Sequence, residues 1–271
     1  MIKTGKDHLE QLRDGRVVFI GDEKISDVTK HPSLKRAAKT VAGLYDLKHN
    51  KEYKDHLTYE ENGETFSTWF IQAKNKDDLR KRSKAHKIIA DQTSGMMGRS
   101  MDHVASFVTG MSTSTDIFDN EKYKFSDNIL NYYEYMKKND VFASYAVVPP
   151  QAARNPEFYQ KRNLPIPTLS VVSENDKGVV ISGMKMLATS AIFANEIWIG
   201  NLIPLAPDQV KQSITCAIPC NANGLSLWMR QPLSNHYDNQ FDAPLSWNQD
   251  ETDVLVTVSY THLRAHETSK H

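Results

Sequence analysis

The hydrophobic period of this chain changes once, near Asp140, and that change constrains the fold more than any other feature. Before it, apolar residues recur at helical spacing; after it they alternate and turn residues become frequent. Thr4 stands as an N-cap with Asp7 at the third position and Leu9 and Leu12 inward, and Gly15 ends that helix. Pro32 opens a second helix with Leu34, Ala38, Val41 and Tyr45 on one face. Helices are also predicted over 77–92, 101–112 and 127–138, the last striped by Ile129, Tyr133 and Met136. Short strands at 17–20 and 65–70 interrupt them. Beyond Asp140, strands at 169–172 and 179–182 flank Glu174-Asn175-Asp176-Lys177-Gly178, a hairpin signal. Further strands are predicted at 196–200, 213–218, 225–230 and 253–256, and the proline-containing stretch 154–167 reads as a linker wrapping between domains. The fold class is α+β: a mainly helical amino-terminal domain over 1–139 and a β-rich, barrel-like middle domain over 140–256.

Composition narrows the function classes. With 271 residues the chain is long enough for about two domains. The 33 basic and 33 acidic residues cancel, and the basic ones are scattered, so nucleic acid is not an expected partner. The basic stretch 74–87 places Leu79, His86 and Ile89 on one face and reads as a solvated helix exterior. No apolar run approaches the roughly 18 residues that span a bilayer, and the polar start lacks a signal-peptide core, so a cytoplasmic protein is expected. Cys216 and Cys220 are the two cysteines, in an alternating strand. They read as small buried hydrophobes in a reducing compartment, and no metal site is expected.

The candidate chemistry centres on Thr93-Ser94-Gly95-Met96-Met97-Gly98-Arg99-Ser100-Met101-Asp102-His103. Gly95 and Gly98 permit positive φ and close backbone approach. Ser100 is a good N-cap, and Val104, Phe107, Val108 and Met111 follow at helical spacing. A guanidinium and an imidazole four residues apart at a helix mouth suit an anionic or phenolic ligand. Taken alone, the stretch is better read as a helix start with a solvated arginine.

The segment does not stand alone. Leu44-Tyr45-Asp46-Leu47-Lys48-His49, Leu57-Thr58-Tyr59-Glu60, Asp78-Leu79-Arg80-Lys81-Arg82, 95–100, Asn131-Tyr132-Tyr133, Pro150-Gln151 with Arg154, and 183–189 occur as ordered blocks. In that order they resemble the oxygenase component of 4-hydroxyphenylacetate 3-hydroxylase, a two-component, reduced-flavin-dependent monooxygenase family. The resemblance implies ortho-hydroxylation of a phenol, 4-hydroxyphenylacetate or a relative, with O2 and with FAD delivered as FADH2 by a separate NAD(P)H:flavin reductase. It also implies an acyl-CoA dehydrogenase-like architecture lacking its carboxy-terminal helical bundle, and a homotetramer at full length. A fragment of this kind is not expected to turn over by itself. Arg99 matches the family's substrate arginine. Close relatives have a tyrosine four residues later and a histidine at the start of the second domain; here those positions hold His103 and Tyr145, so the pair is exchanged. By the same resemblance, Arg99, His103 and Tyr145 are catalytic. Tyr145, Ala146, Val147, Gln151, Ala152, Ala153, Arg154 and Thr189 face the flavin, and Ser100, Met101, Asp102, Leu202 and Ile203 join Arg99, His103 and Tyr145 around the substrate. Leu202 and Ile203 stand where relatives carry hydroxyl residues, which opens the site to a neutral or larger phenol. Arg154 also has a plainer reading, as an ion-pair partner of Glu157.

Two alternatives are weighed. A dehydratase of the same superfamily, acting on 4-hydroxybutyryl-CoA, needs three cysteines and a histidine for its iron–sulfur cluster, and the chain lacks them. A non-catalytic binding homologue predicts erosion of these polar positions. The last stretch, 257–271, is expected to have another origin: 258–268 back-translates onto the mosaic end and adapter of a transposase-based sequencing library. That stretch is read as an artefact tail continuing no strand, and the natural sequence as stopping at about Val256. On this reading the metal-like cluster His262, His266 and His271 is part of the artefact.

Overall fold

The computed structural model describes residues 2–121, 124–175, 178–202 and 204–264; the side chains of His262 and Arg264 also lie outside the description. Thr4 makes the expected capping box, its hydroxyl accepting from Asp7 N at 3.2 Å and its own N–H donating to Asp7 Oδ2 at 2.9 Å. The helix it starts, α1 (Gly5–Gln11), stops one turn before Gly15. Gly5 is there for contact: a Cβ would stand 2.5 Å from the Ala42 carbonyl of α2 (Lys35–Asp46). Short α3 (Lys54–Leu57) leads into the hairpin of β3 (Thr58–Glu61) and β4 (Glu64–Ser67). Asn75 caps α4 (Lys76–Gln92), and α5 (Met101–Met111) and α6 (Ser126–Asn139) complete the helical layer. On α4 the inward residues are Ala85, Ile88 and Ile89, while Leu79 is exposed.

The β layer opens before the helices are finished. β1 (Val18–Ile20) and β2 (Glu23–Ile25) come from the first half, yet β1 pairs in parallel with β10 (Leu225–Met229). With β6 (Ser170–Asn175), β7 (Gly178–Lys185) and β11 (Val254–Arg264) they form a six-stranded sheet in the order β2-β1-β10-β11-β7-β6. A separate sheet holds β5 (Ala143–Ala146), β8 (Glu196–Ile199) and β9 (Cys216–Pro219). The expected hairpin is present, Asn175 pairing with Gly178. The expected barrel-like closure is not: among the described residues there are open sheets with β2 and β6 as free edges of the larger one, because the strands divide between two sheets. Short helices α7 (Pro156–Gln160) and α8 (Ser246–Gln249) lie on the connections.

The expectation that the tail continues no strand is also corrected. Thr257–Arg264 continue β11, paired with β7 through Arg264 opposite Gly178. Val254, Val256 and Val258 face inward; then Tyr260 takes φ 49° and the register shifts. Thr261 and Leu263 become the buried pair. A bulge of this kind moves the alternation by one residue, which hides the strand from a strict period-two reading. His266 and His271 lie outside the described residues.

One core joins the layers, with Tyr45, Phe142, Phe193 and Leu227 all buried in it. Its polar centre is Asp140, which ends α6 at φ 47°. The carboxylate accepts from Ser67 Oγ at 2.7 Å and Lys3 N at 3.1 Å, and pairs with Lys48. That turn aims the chain into β5, and β5 carries the site. No helix among the described residues is long and apolar enough to cross a membrane.

Candidate active site

Strand alternation puts Tyr145 and Val147 on one face of β5. Across from Tyr145 lies α5, whose first turn is set by the glycine-rich segment. Gly95 takes φ 73°, Met97 is buried as an anchor, and Arg99 N donates to Glu251 Oε2 at 3.1 Å. Ser100 sits at the N-cap, but its hydroxyl donates to Asp102 Oδ1 at 2.8 Å instead of capping the helix. The His103 ring centroid is 6.1 Å from that of Tyr145, and Phe107 packs 5.3 Å from Tyr145 and 5.5 Å from Trp198. The two exchanged residues therefore meet across the junction of the helical and β layers. Burial, and then the Arg99 charge, lower the His103 pKa. Its ring is neutral near pH 7, the form that accepts a proton.

Two residues further along β5, a cavity of about 350 Å³ opens beside Val147. Ala153, Arg154, Lys185, Asn201 and Gln212 share its wall. Lys185 is 2% exposed, its Nζ donating to Asn201 Oδ1 at 2.8 Å, while Asn201 Nδ2 donates to the Gln212 carbonyl at 3.0 Å. Burial pulls the lysine pKa down to about 8. Among the described residues no carboxylate pairs with it. A buried cation with only an amide partner is costly, and a ligand anion is its natural complement.

The other expected residues divide. Arg154 lines the cavity, and Glu157 pairs with Lys161 at 3.4 Å instead. Thr189 spends its hydroxyl hydrogen on Asp253 Oδ1 at 3.1 Å, leaving oxygen lone pairs. Gln151 and Ala152 are exposed on a single 3₁₀ turn. Ala146 is fully buried with its carbonyl taken by Gly200 N, Met101 is 1% exposed in the core, and Asp102 is turned toward His86. The side chains of those three are thus withdrawn from a ligand by packing and pairing. Leu202 is 65% exposed and its N–H reaches the Val147 carbonyl; Ile203 lies outside the described residues. Sequence reasoning passed over Lys185 as a charge, and Asn201, Gln212 and Glu251 altogether. Only Lys185 carried a signal, a lysine inside an otherwise apolar strand. Both cysteine thiols are buried and pushed up to about 12, as inert core groups are.

The model of the family described as 4-hydroxyphenylacetate 3-hydroxylase N terminal matches residues 4–259. The chain belongs to this family. Within it, the chain is 36% identical over 260 residues to the 4-hydroxyphenylacetate 3-monooxygenase oxygenase component of Thermus thermophilus, covering 94% of this chain and 52% of that one. It is 32% identical over 265 residues to the oxygenase component of a 4-nitrophenol 4-monooxygenase/4-nitrocatechol 2-monooxygenase of Rhodococcus opacus, covering 94% and 49%. A crystal structure of a 4-hydroxyphenylacetate 3-monooxygenase oxygenase component complexed with FAD and 4-hydroxyphenylacetate superposes with a TM-score of 0.89 at 33% identity, over 98% of this chain and 55% of that one. An archaeal 4-hydroxybutyryl-CoA dehydratase shares the fold, with a TM-score of 0.84 at 19% identity. The chain spans about half the length of the curated relatives it matches.

Proposed function

We propose that this chain forms the phenol-binding and part of the flavin-binding portion of a two-component monooxygenase that ortho-hydroxylates a phenol with reduced FAD and O2. The observation that carries the reading is the meeting of His103 and Tyr145 within 6.1 Å, under the Arg99 charge and beside the Lys185 cavity. The donor set suits a flavin: Arg154 and Lys185 for anionic groups, Asn201 and Gln212 amides for a heteroaromatic edge, and the Thr189 oxygen as acceptor. Reduced FAD, when bound, supplies the electrons that activate O2. The chain's own residues deal with the phenol. Arg99 favours the phenolate, neutral His103 takes the phenolic proton, and the Tyr145 hydroxyl bonds the same oxygen. Phe107 and Trp198 keep that oxygen's surroundings dry, which strengthens each of these interactions. Exposed Leu202 offers no hydroxyl to a substrate carboxylate, which supports a neutral or larger phenol alongside 4-hydroxyphenylacetate. A separate flavin reductase, tetrameric assembly and a cytoplasmic setting belong to the same proposal.

The test uses the chain joined to the remaining half of the Thermus thermophilus relative and checked for folding. Given chemically reduced FAD, O2 and a panel of phenols without any reductase, it is expected to form ortho-diols containing oxygen from O2. Hydroxylation without flavin, or activity confined to acyl-CoA thioesters, overturns the reading.

A further inference from the structure

Behind His103, on the side of α4, lies a second cavity of about 360 Å³, lined by His86, Met97, Ser100, Asp102, His103 and Ser106. Its polar groups are connected. Ser106 Oγ is 3.2 Å from His86 Nε2, and His86 Nδ1 is 2.5 Å from Asp102 Oδ2. The other Asp102 oxygen accepts from Ser100 at 2.8 Å, which fixes the carboxylate. The set has the order of a serine, histidine and aspartate hydrolase, but acyl transfer does not fit. Ser106 lies inside α5, where backbone N–H groups are bonded within the helix and cannot stabilise an oxyanion.

His103 supplies the missing purpose. It lines the same cavity, it is one helical turn from Ser106, and its Nδ1 is buried with no hydrogen-bond partner among the described residues. The groups facing it are Arg99 just before α5, Asp102 within α5, His86 from α4 and Tyr145 from β5. A base that takes a proton beside Arg99 must pass it on, because burial and the arginine's like charge outweigh Asp102 and disfavour an imidazolium there. We infer that Ser106, His86 and Asp102 form a proton exit that drains the phenolic proton from His103 to solvent. This rests on the function proposed above.

The steps balance without any further reactant. The phenol O–H bond breaks as an N–H bond forms on His103. The proton on the other ring nitrogen passes, through water held by the cavity's polar groups, to Ser106 Oγ, and the serine's own proton moves to His86 Nε2. Asp102 stabilises the resulting imidazolium at Nδ1. His86 has 36% of its side chain exposed, so its proton reaches bulk water.

The test follows 4-nitrophenol mixed with this chain in a stopped-flow spectrometer, at a pH below the ionisation of the free phenol. The parent is expected to develop the phenolate band, and Arg99→Ala to lose it. In His86→Gln and Ser106→Ala the band should reach the parent's final amplitude, showing an intact site, but about 10²-fold more slowly. Added imidazole should restore the rate in His86→Gln and leave the parent unchanged, which a structural role for His86 does not predict. If both variants develop the band at the parent's rate, the exit is wrong while the phenol site stands. If the parent shows no phenolate band, the functional reading fails and the exit falls with it.

Discussion

Of the four buried lysines among the described residues, Lys48 and Lys185 are the most deeply buried, and their arrangements are opposite. Lys48 is fully buried at the junction of the helical and β layers and meets Asp140, whose second oxygen is held by Ser67. Lys185 is nearly as buried, on β7, and among the described residues its hydrogen-bond partner is the amide oxygen of Asn201. In the first case the charges cancel inside the protein and the cluster is architecture. In the second the charge is left for something else, and the cavity beside it lies two residues along β5 from Tyr145. Burial alone does not mark a functional cation: buried Lys3 also bonds only the amide oxygens of Gln11 and Asn195, and what sets Lys185 apart is the cavity it lines.

The comparison predicts its own largest effect at the first site. Asp140→Ala leaves Lys48 buried and unpaired, and chemical denaturation should show a loss of about 3–5 kcal/mol. Burial pushes the Asp140 carboxyl up, but Lys48 and Ser67 outweigh it and hold the pKa below the usual carboxylate range. A carboxyl lowered in the folded state stabilises above its unfolded pKa, so stability should fall as pH drops through the carboxylate range. Next in size is Arg99→Ala, expected to cost about 3 kcal/mol in hydroxylation by the joined protein, as loss of one preorganised charge does. There the double exchange His103→Tyr with Tyr145→His should retain more activity than either single change; equal and independent losses would separate the two residues.

Lys185→Met should act in the reverse sense to Asp140→Ala. Removing an uncompensated charge while keeping the stem should raise stability by about 2 kcal/mol and weaken binding of anionic ligands. The pH dependence gives the same answer without mutation. The folded pKa of about 8 lies below the ordinary lysine value of 10.5, so between them the unfolded chain binds more protons and stability should rise with pH. Flavin affinity should fall over the same start, as the lysine loses its charge above about 8. The smallest effect is at Glu251→Ala, which releases Arg99 N and should weaken phenol binding by about 1 kcal/mol in calorimetric titration.

Local signals explain what could be read in advance. The Thr4 box and the helical stripe of α6 are written in adjacent residues, so those elements start or run where the sequence places them. Open sheets in place of a barrel depend on pairings such as β1 with β10, more than two hundred residues apart. The continuation of β11 depends on one backbone angle at Tyr260. At the site, His103 and Arg154, named from the sequence, line the two cavities and Tyr145 packs near His103, while Arg99 is exposed and lines neither. What a sequence does not display is a missing partner. Lys185 is visible as a lysine in a strand, but that no acid among the described residues pairs with it is a fact of three dimensions. His86 reads as part of a helix face until Asp102 and Ser106 close on it.

The central claim is that the Lys185 cavity and the His103–Tyr145 pair form one ligand site while the Lys48 cluster does not. Nuclear magnetic resonance mapping of this chain with FAD and 4-nitrophenol tests it most directly. The account predicts shift changes at Val147, Ala153, Arg154 and Lys185 on adding the flavin, and at Arg99, His103 and Tyr145 on adding the phenol, with Lys48 and Asp140 unmoved. Perturbations centred elsewhere, or none at either set of residues at saturating ligand, would contradict it.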